Sequence, residues 1–95
     1  MKIALVDDDQ QALDRLHTYI TELVGAAARL DCFASGEEFL AAWHPGAYDL
    51  IVLDIFMHQL TGMEVARTIR ETDQTVRLVF ATSSNEFASE SYEVN

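Results

Sequence analysis

A doubly wound α/β domain built on a parallel sheet is the fold this sequence predicts, and three observations carry that expectation. Short apolar runs alternate with helical stripes in the order βαβαβαβα, a spacing that favours parallel strands joined by right-handed crossovers. Leu50 to Leu53 is apolar without alternation, the pattern of a strand covered on both faces. Two of the apolar runs end in acid, at Asp7-Asp8-Asp9 and at Asp54, and ligands of such sheets bind at the carboxyl ends of the strands.

The elements follow in order. Lys2 to Val6 is the first strand. Ala12, Leu13, Leu16, Tyr19, Ile20 and Leu23 then recur at helical spacing, with Asp9 as N-cap and Gly25 as the stop. Arg29 to Ala34 alternates weakly and reads as a second strand. Ser35-Gly36-Glu37-Glu38 is a capping box that opens a helix carrying Phe39, Leu40 and Trp43, and Pro45-Gly46 ends it. Leu50 to Leu53 is the third strand. Thr61-Gly62-Met63-Glu64 is a second capping box, opening a helix with Met63, Ala66 and Ile69 inward. Val76 to Ala81 is the fourth strand. Ser83-Ser84-Asn85-Glu86 looks like a third capping box, starting a helix with Phe87 and Ser91 or Val94 on one face.

Composition narrows the function. A chain of 95 residues is one small domain, spanning 1–95, and 49% hydrophobic residues are enough for a core. Six basic residues against sixteen acidic ones give a net charge of -10, a surface that repels nucleic acid and anionic membrane. The single cysteine, Cys32, excludes an internal disulfide and fits a reducing cytoplasm. No run approaches the roughly 18 apolar residues of a membrane span, and the strand-like start leaves no signal peptide.

Carboxylates gathered at one sheet edge repel one another, and the common reasons for gathering them are a hard divalent cation and phosphoryl chemistry. Asp54 is a candidate phosphoryl acceptor, because a carboxylate can attack phosphorus and form an acyl phosphate. The obstacle is the approach of one anion to another, and a magnesium ion on neighbouring carboxylates removes much of that repulsion. Asp8 with Asp54, plus a backbone carbonyl just after Asp54, suits the octahedral preference of Mg2+ for few carboxylates. Thr82, at the end of the fourth strand, can donate its hydroxyl to a phosphoryl oxygen.

Plainer roles compete at each position. Asp9 reads better as the helix cap than as a ligand, and Asp49 as a surface residue before a strand. Gly62 alone is an ordinary helix-start glycine. His17, His44 and His58 show no ligand spacing with Cys32, which argues against zinc. Cys32 reads as a small core residue, and Phe39, Trp43, Phe80 and Phe87 as core aromatics. For the acidic run, convergence with Asp54 and Thr82 outweighs the plain reading as cap and solvated acids.

Val6-Asp7-Asp8, Leu53-Asp54, Gly62 eight positions beyond Asp54, and Ala81-Thr82-Ser83 together resemble the receiver domain of two-component response regulators, over the whole chain. The resemblance implies a flavodoxin-like sheet of order 2-1-3-4-5 with Asp54 as phosphoacceptor. It implies Asp7 and Asp8 as the acidic magnesium pair, with Asp8 the more direct ligand. It also implies Phe56 as donor of a backbone carbonyl to the metal and Thr82 as the switch hydroxyl. The implied activity is phosphoryl transfer from a sensor histidine kinase, self-catalysed rather than that of a conventional enzyme, with signalling to a DNA-binding output module. Glu86-Phe87-Ala88 and Ser91-Tyr92-Glu93-Val94-Asn95 resemble the fourth helix of receivers attached to LytTR-type domains.

The sequence also departs from that pattern. It stops at Asn95, before the family's last strand and helix, and its one lysine, Lys2, is at the wrong end of the first strand. The expectation is a receiver incomplete at its C-terminus. Its fourth strand would be an edge, Leu78, Val79 and Phe80 would lose covering partners, and the chain would self-associate there. His58 stands where receivers usually carry proline, which predicts a more mobile loop after Asp54. Two rival readings follow: a receiver-like binding module that no longer uses phosphate, and a haloacid-dehalogenase-type phosphotransferase. The second wants an aspartate two positions after the nucleophile, where this chain has Phe56.

Overall fold

The computed structural model describes residues 1–81 and, as backbone, the strand at 91–94. The elements are β1 (Lys2–Val6), α1 (Gln10–Val24) with a 3-10 turn at Gly25–Ala27, β2 (Arg29–Phe33), α2 (Gly36–Ala42), β3 (Leu50–Leu53), α3 (Gly62–Thr72), β4 (Arg77–Ala81) and β5 (Ser91–Val94). They form one sheet of order β2-β1-β3-β4-β5, with β1 to β4 parallel and β5 antiparallel to β4. The first four strands and three helices thus stand where the sequence pattern puts them.

Local signals account for the helix ends. The Asp9 carboxylate accepts from the main-chain N–H groups of Gln11 and Ala12, and α1 stops at Gly25, whose φ of 62° is a left-handed conformation that glycine adopts without cost. Thr61 and Glu64 satisfy each other's main-chain donors in a complete capping box. At α2 the box is displaced: Ser35 accepts from the Glu38 N–H, but Glu38 reaches back to the N–H of Ala34 rather than Ser35.

The unbroken apolar runs are explained by two cores. Ala4 and Val6 of β1, Ile51 and Leu53 of β3, and Leu78 and Phe80 of β4 pack against Phe39 of α2 and Val65, Ala66 and Ile69 of α3. Ile3, Leu5 and Val52 point to the opposite side, under Leu13, Leu16 and Ile20 of α1. Each central strand is buried on both faces, so alternation vanishes from its sequence.

The structure corrects several expectations. Tyr19 and Leu23 of α1 are exposed. Ile20, one residue beyond Tyr19, still packs on the sheet, so Tyr19 is exposed by its place at the margin of the face set by Ala12, Leu13, Leu16 and Ile20, and Leu23 by its place in the last turn of α1, beyond those packed residues. Met63 is exposed and Val65 takes the inward position, because residue 63 lies about a third of a turn away from the face set by Val65, Ala66 and Ile69. Cys32 is exposed rather than core, since β2 is an edge strand; burial of its thiol is still enough to push the pKa up.

The tail differs most. Ser91 to Val94, expected at the end of a helix, is strand β5, with Leu78 opposite Val94 and Ala81 opposite Ser91. Tyr92 and Val94 alternate with Ser91 and Glu93, a period-two pattern of β-favouring residues that the helical reading passed over. β4 is therefore not an edge: Leu78 and Phe80 are buried and Val79 is half-buried. The edge through which self-association was expected is covered. The helix expected to open at Ser83, with Phe87, falls in 82–90, outside the described residues.

Candidate functional site

Strand register creates the site. Val6 lies opposite Leu53 in the parallel β1–β3 pair, so the next residue of each strand, Asp7 and Asp54, emerges at the same sheet edge. Main-chain bonds hold both there, from Asp54 N–H to the Val6 carbonyl at 2.9 Å and from Asp7 N–H to the Phe33 carbonyl at 3.1 Å. Asp8 follows into the loop. One oxygen from each of Asp7, Asp8 and Asp54 lies within 4.8 Å of the others.

The three acids are not equivalent. Asp7 and Asp54 are each only 5% exposed. Burial pushes the Asp7 carboxyl up to about 7, the charges of Asp54 and Asp8 push the same way, and the bond Asp7 accepts from the Asp9 N–H opposes them. Asp8, nearer the surface, is held below the ordinary carboxylate range. Burial would raise it, but hydrogen bonds from the main chain and ring of His58 outweigh that effect. Such a set of oxygens suits a hard divalent cation, which would neutralise the repulsion that raises Asp7.

The loop after Asp54 wraps the site. Phe56 N–H points at Asp54 Oδ1 at 3.4 Å, and the Phe56 ring is exposed at the rim. Met57 is buried in the α2–α3 core, and Gly62 N–H closes the loop on the Ile55 carbonyl at 3.0 Å. Sequence reasoning saw Gly62 as a spacing and a helix start. The structure adds that a Cβ there would meet the Asp54 main-chain carbonyl. Sequence reasoning also missed the pairing of His58 with Asp8, to which His58 bonds through both its main chain and its ring. Only the departure from proline at position 58 hinted at it. Asp9 serves as cap alone, and Asp49 is a surface residue whose carboxylate accepts from the Lys2 N–H. Thr82 lies outside the described residues, so its place beside Asp54 stays an expectation.

Residues 3–94 match the family described as the response regulator receiver domain. The chain belongs to that family. The receiver is 32% identical over its full length to the positive alginate biosynthesis regulatory protein of Pseudomonas aeruginosa, of which it covers 38%. It is also 32% identical, again over its full length, to the sensory transduction protein LytR of Staphylococcus haemolyticus, of which it covers 37%. The receiver thus spans well under half the length of these curated relatives, and the LytR match fits the LytTR-type resemblance of the sequence. Among solved structures it is similar to the Thermotoga maritima response regulator TrrA in complex with Mg(2+)-BeF, with a TM-score of 0.79, 30% identity, and coverage of 94% of this chain and 75% of that one. TrrA has also been solved in complex with the histidine kinase ThkA. Among the described residues of the receiver no helix is long and apolar enough to cross a membrane.

Proposed function

We propose that the receiver accepts a phosphoryl group on Asp54 from a phosphohistidine of a sensor histidine kinase, and that Asp7, Asp8, Asp54 and the Phe56 main-chain carbonyl hold Mg2+ for the transfer. One observation carries this reading: three carboxylates from two strand ends converge within 4.8 Å, two of them buried, in an arrangement that is repulsive on its own. The bound ion would supply charge neutralisation between Asp54 and an anionic donor. Asp54 contributes the nucleophilic oxygen: its bond to phosphorus forms as the phosphorus–nitrogen bond of the donor breaks, and the imidazole leaves. Asp7 and Asp8 orient around that oxygen, and the Thr82 hydroxyl donates to the arriving phosphoryl group. The transfer is self-catalysed, without turnover of a separate substrate. The complexes described for TrrA support both the metal and the kinase. Relatives named as an alginate biosynthesis regulatory protein and a transcriptional regulatory protein support a regulatory output; in this reading the output module binds DNA and the receiver works in the cytoplasm. Self-association would use one of the two outer strands of the described sheet, β2 or β5.

Intact mass after incubation with acetyl phosphate and magnesium tests the reading. A gain of one phosphoryl group that disappears in Asp54→Asn is expected. No gain would favour a receiver-like interaction module that works without phosphate. The phosphotransferase reading has Phe56 where it needs a second acid, and turnover of p-nitrophenyl phosphate would be required to sustain it.

A further inference from the structure

His58 is almost wholly in solvent, yet it grips one atom of the acidic cluster. Its main-chain N–H donates to Asp8 Oδ2 at 2.8 Å, and its ring Nδ1 lies 2.7 Å from the same oxygen. A carboxylate only accepts, so Nδ1 carries the proton in this pairing. The two bonds tie together loops 50 positions apart in sequence.

The loop is built to present this residue. Met57, immediately before, is anchored in the core. Gln59, immediately after, has φ 60°, a left-handed conformation that residues other than glycine seldom adopt. Asp8 is the most exposed acid of the three, and repulsion from Asp7 and Asp54 would turn its side chain outward. In the structure, where His58 holds Asp8 Oδ2, one oxygen of the Asp8 carboxylate lies within 4.8 Å of one from each of the other two.

We infer that His58 is a positioning residue for the cation, holding the Asp8 carboxylate beside those of Asp7 and Asp54 so that the ion meets an assembled set of donors. The inference rests on the reading that this cluster binds magnesium. Outer hydrogen bonds that fix a ligating carboxylate typically carry about 10- to 100-fold in metal affinity. Alanine at 58 would keep the main-chain donor and lose the ring, proline would lose both, and asparagine would offer a side-chain N–H at a reach close to that of Nδ1.

Calorimetric titration of Mg2+ into the wild-type chain and the His58→Ala, His58→Pro and His58→Asn variants, without any phosphoryl donor, tests this, with thermal melts to verify that each is folded. We expect the dissociation constant to rise about tenfold in His58→Ala and further in His58→Pro, and to return close to wild type in His58→Asn. Wild-type binding with equal or tighter binding by His58→Ala would overturn the positioning role and leave the metal reading standing. No Mg2+ binding by the wild type would overturn both.

Discussion

Gly62 sits so close to the main-chain carbonyl of Asp54 that a Cβ at position 62 would collide with its oxygen. The same glycine donates its N–H to Ile55, so the start of α3 and the end of β3 are clasped together with no room for a side chain. The Asp54 backbone is thereby fixed by a residue that takes no part in the proposed chemistry.

Gly62→Ala should therefore act on both stability and site geometry. Forcing a methyl group into a closed contact costs about 1–3 kcal/mol. Urea denaturation should report a loss in that range, and acetyl phosphate should label Asp54 more slowly than in the wild type. Stability and labelling both unchanged would mean that the loop yields freely.

Asp73 offers a second test, away from the site. Its buried carboxylate accepts from the N–H groups of Gly46, Thr75 and Val76 and from the Thr75 hydroxyl, stitching α3 to β4 and to the turn before β3. Asp73→Ala leaves the buried Val76 N–H without its acceptor and should cost about 1–3 kcal/mol in chemical denaturation. Asp73→Asn, which keeps a carbonyl oxygen, should cost less; equal losses would point to the charge rather than the acceptor. Hydrogen bonds, that from Thr75 foremost, hold its pKa below the ordinary value of 3.8. Its contribution is thus present above about pH 4 and fades as pH falls through the folded value.

Asp7 should show the opposite sign in the metal-free chain. Its pKa is raised, by burial first, from 3.8 to about 7. The folded state then binds a proton that the unfolded state releases, so this residue adds stability at low pH and loses it as pH rises through about 7. Urea midpoints measured in a chelator should fall between about pH 4 and about pH 7 and level off above that, and Asp7→Asn should flatten that slope and raise the midpoint at the alkaline end. A slope unchanged in Asp7→Asn would assign the proton to another acid of the cluster.

Much of this fold was readable because it is written locally. Asp9, Ser35 and Thr61 announce helix starts through side chains that reach only two or three residues ahead, and Gly25 ends α1 by its own backbone freedom. The apolar runs of β1, β3 and β4 identify buried strands. From the alternation of strand and helix follows the parallel sheet, and from that the shared edge of Asp7 and Asp54. The tail was misread because four residues of alternating pattern can serve as one turn of a helix or as a short strand, and only a partner such as β4 decides between them.

The amino-acid sequence alone determined the order of the elements as far as β4, the strand ends that carry acid and the identity of the family, since each depends on neighbours along the chain. Tertiary structure decided what lies opposite what: β5 against β4, solvent against Tyr19, Leu23 and Met63, His58 against Asp8, and the Asp54 carbonyl against Gly62. Those outcomes depend on distances between residues that the sequence separates, and a local pattern holds no record of such distances until packing brings the surfaces together.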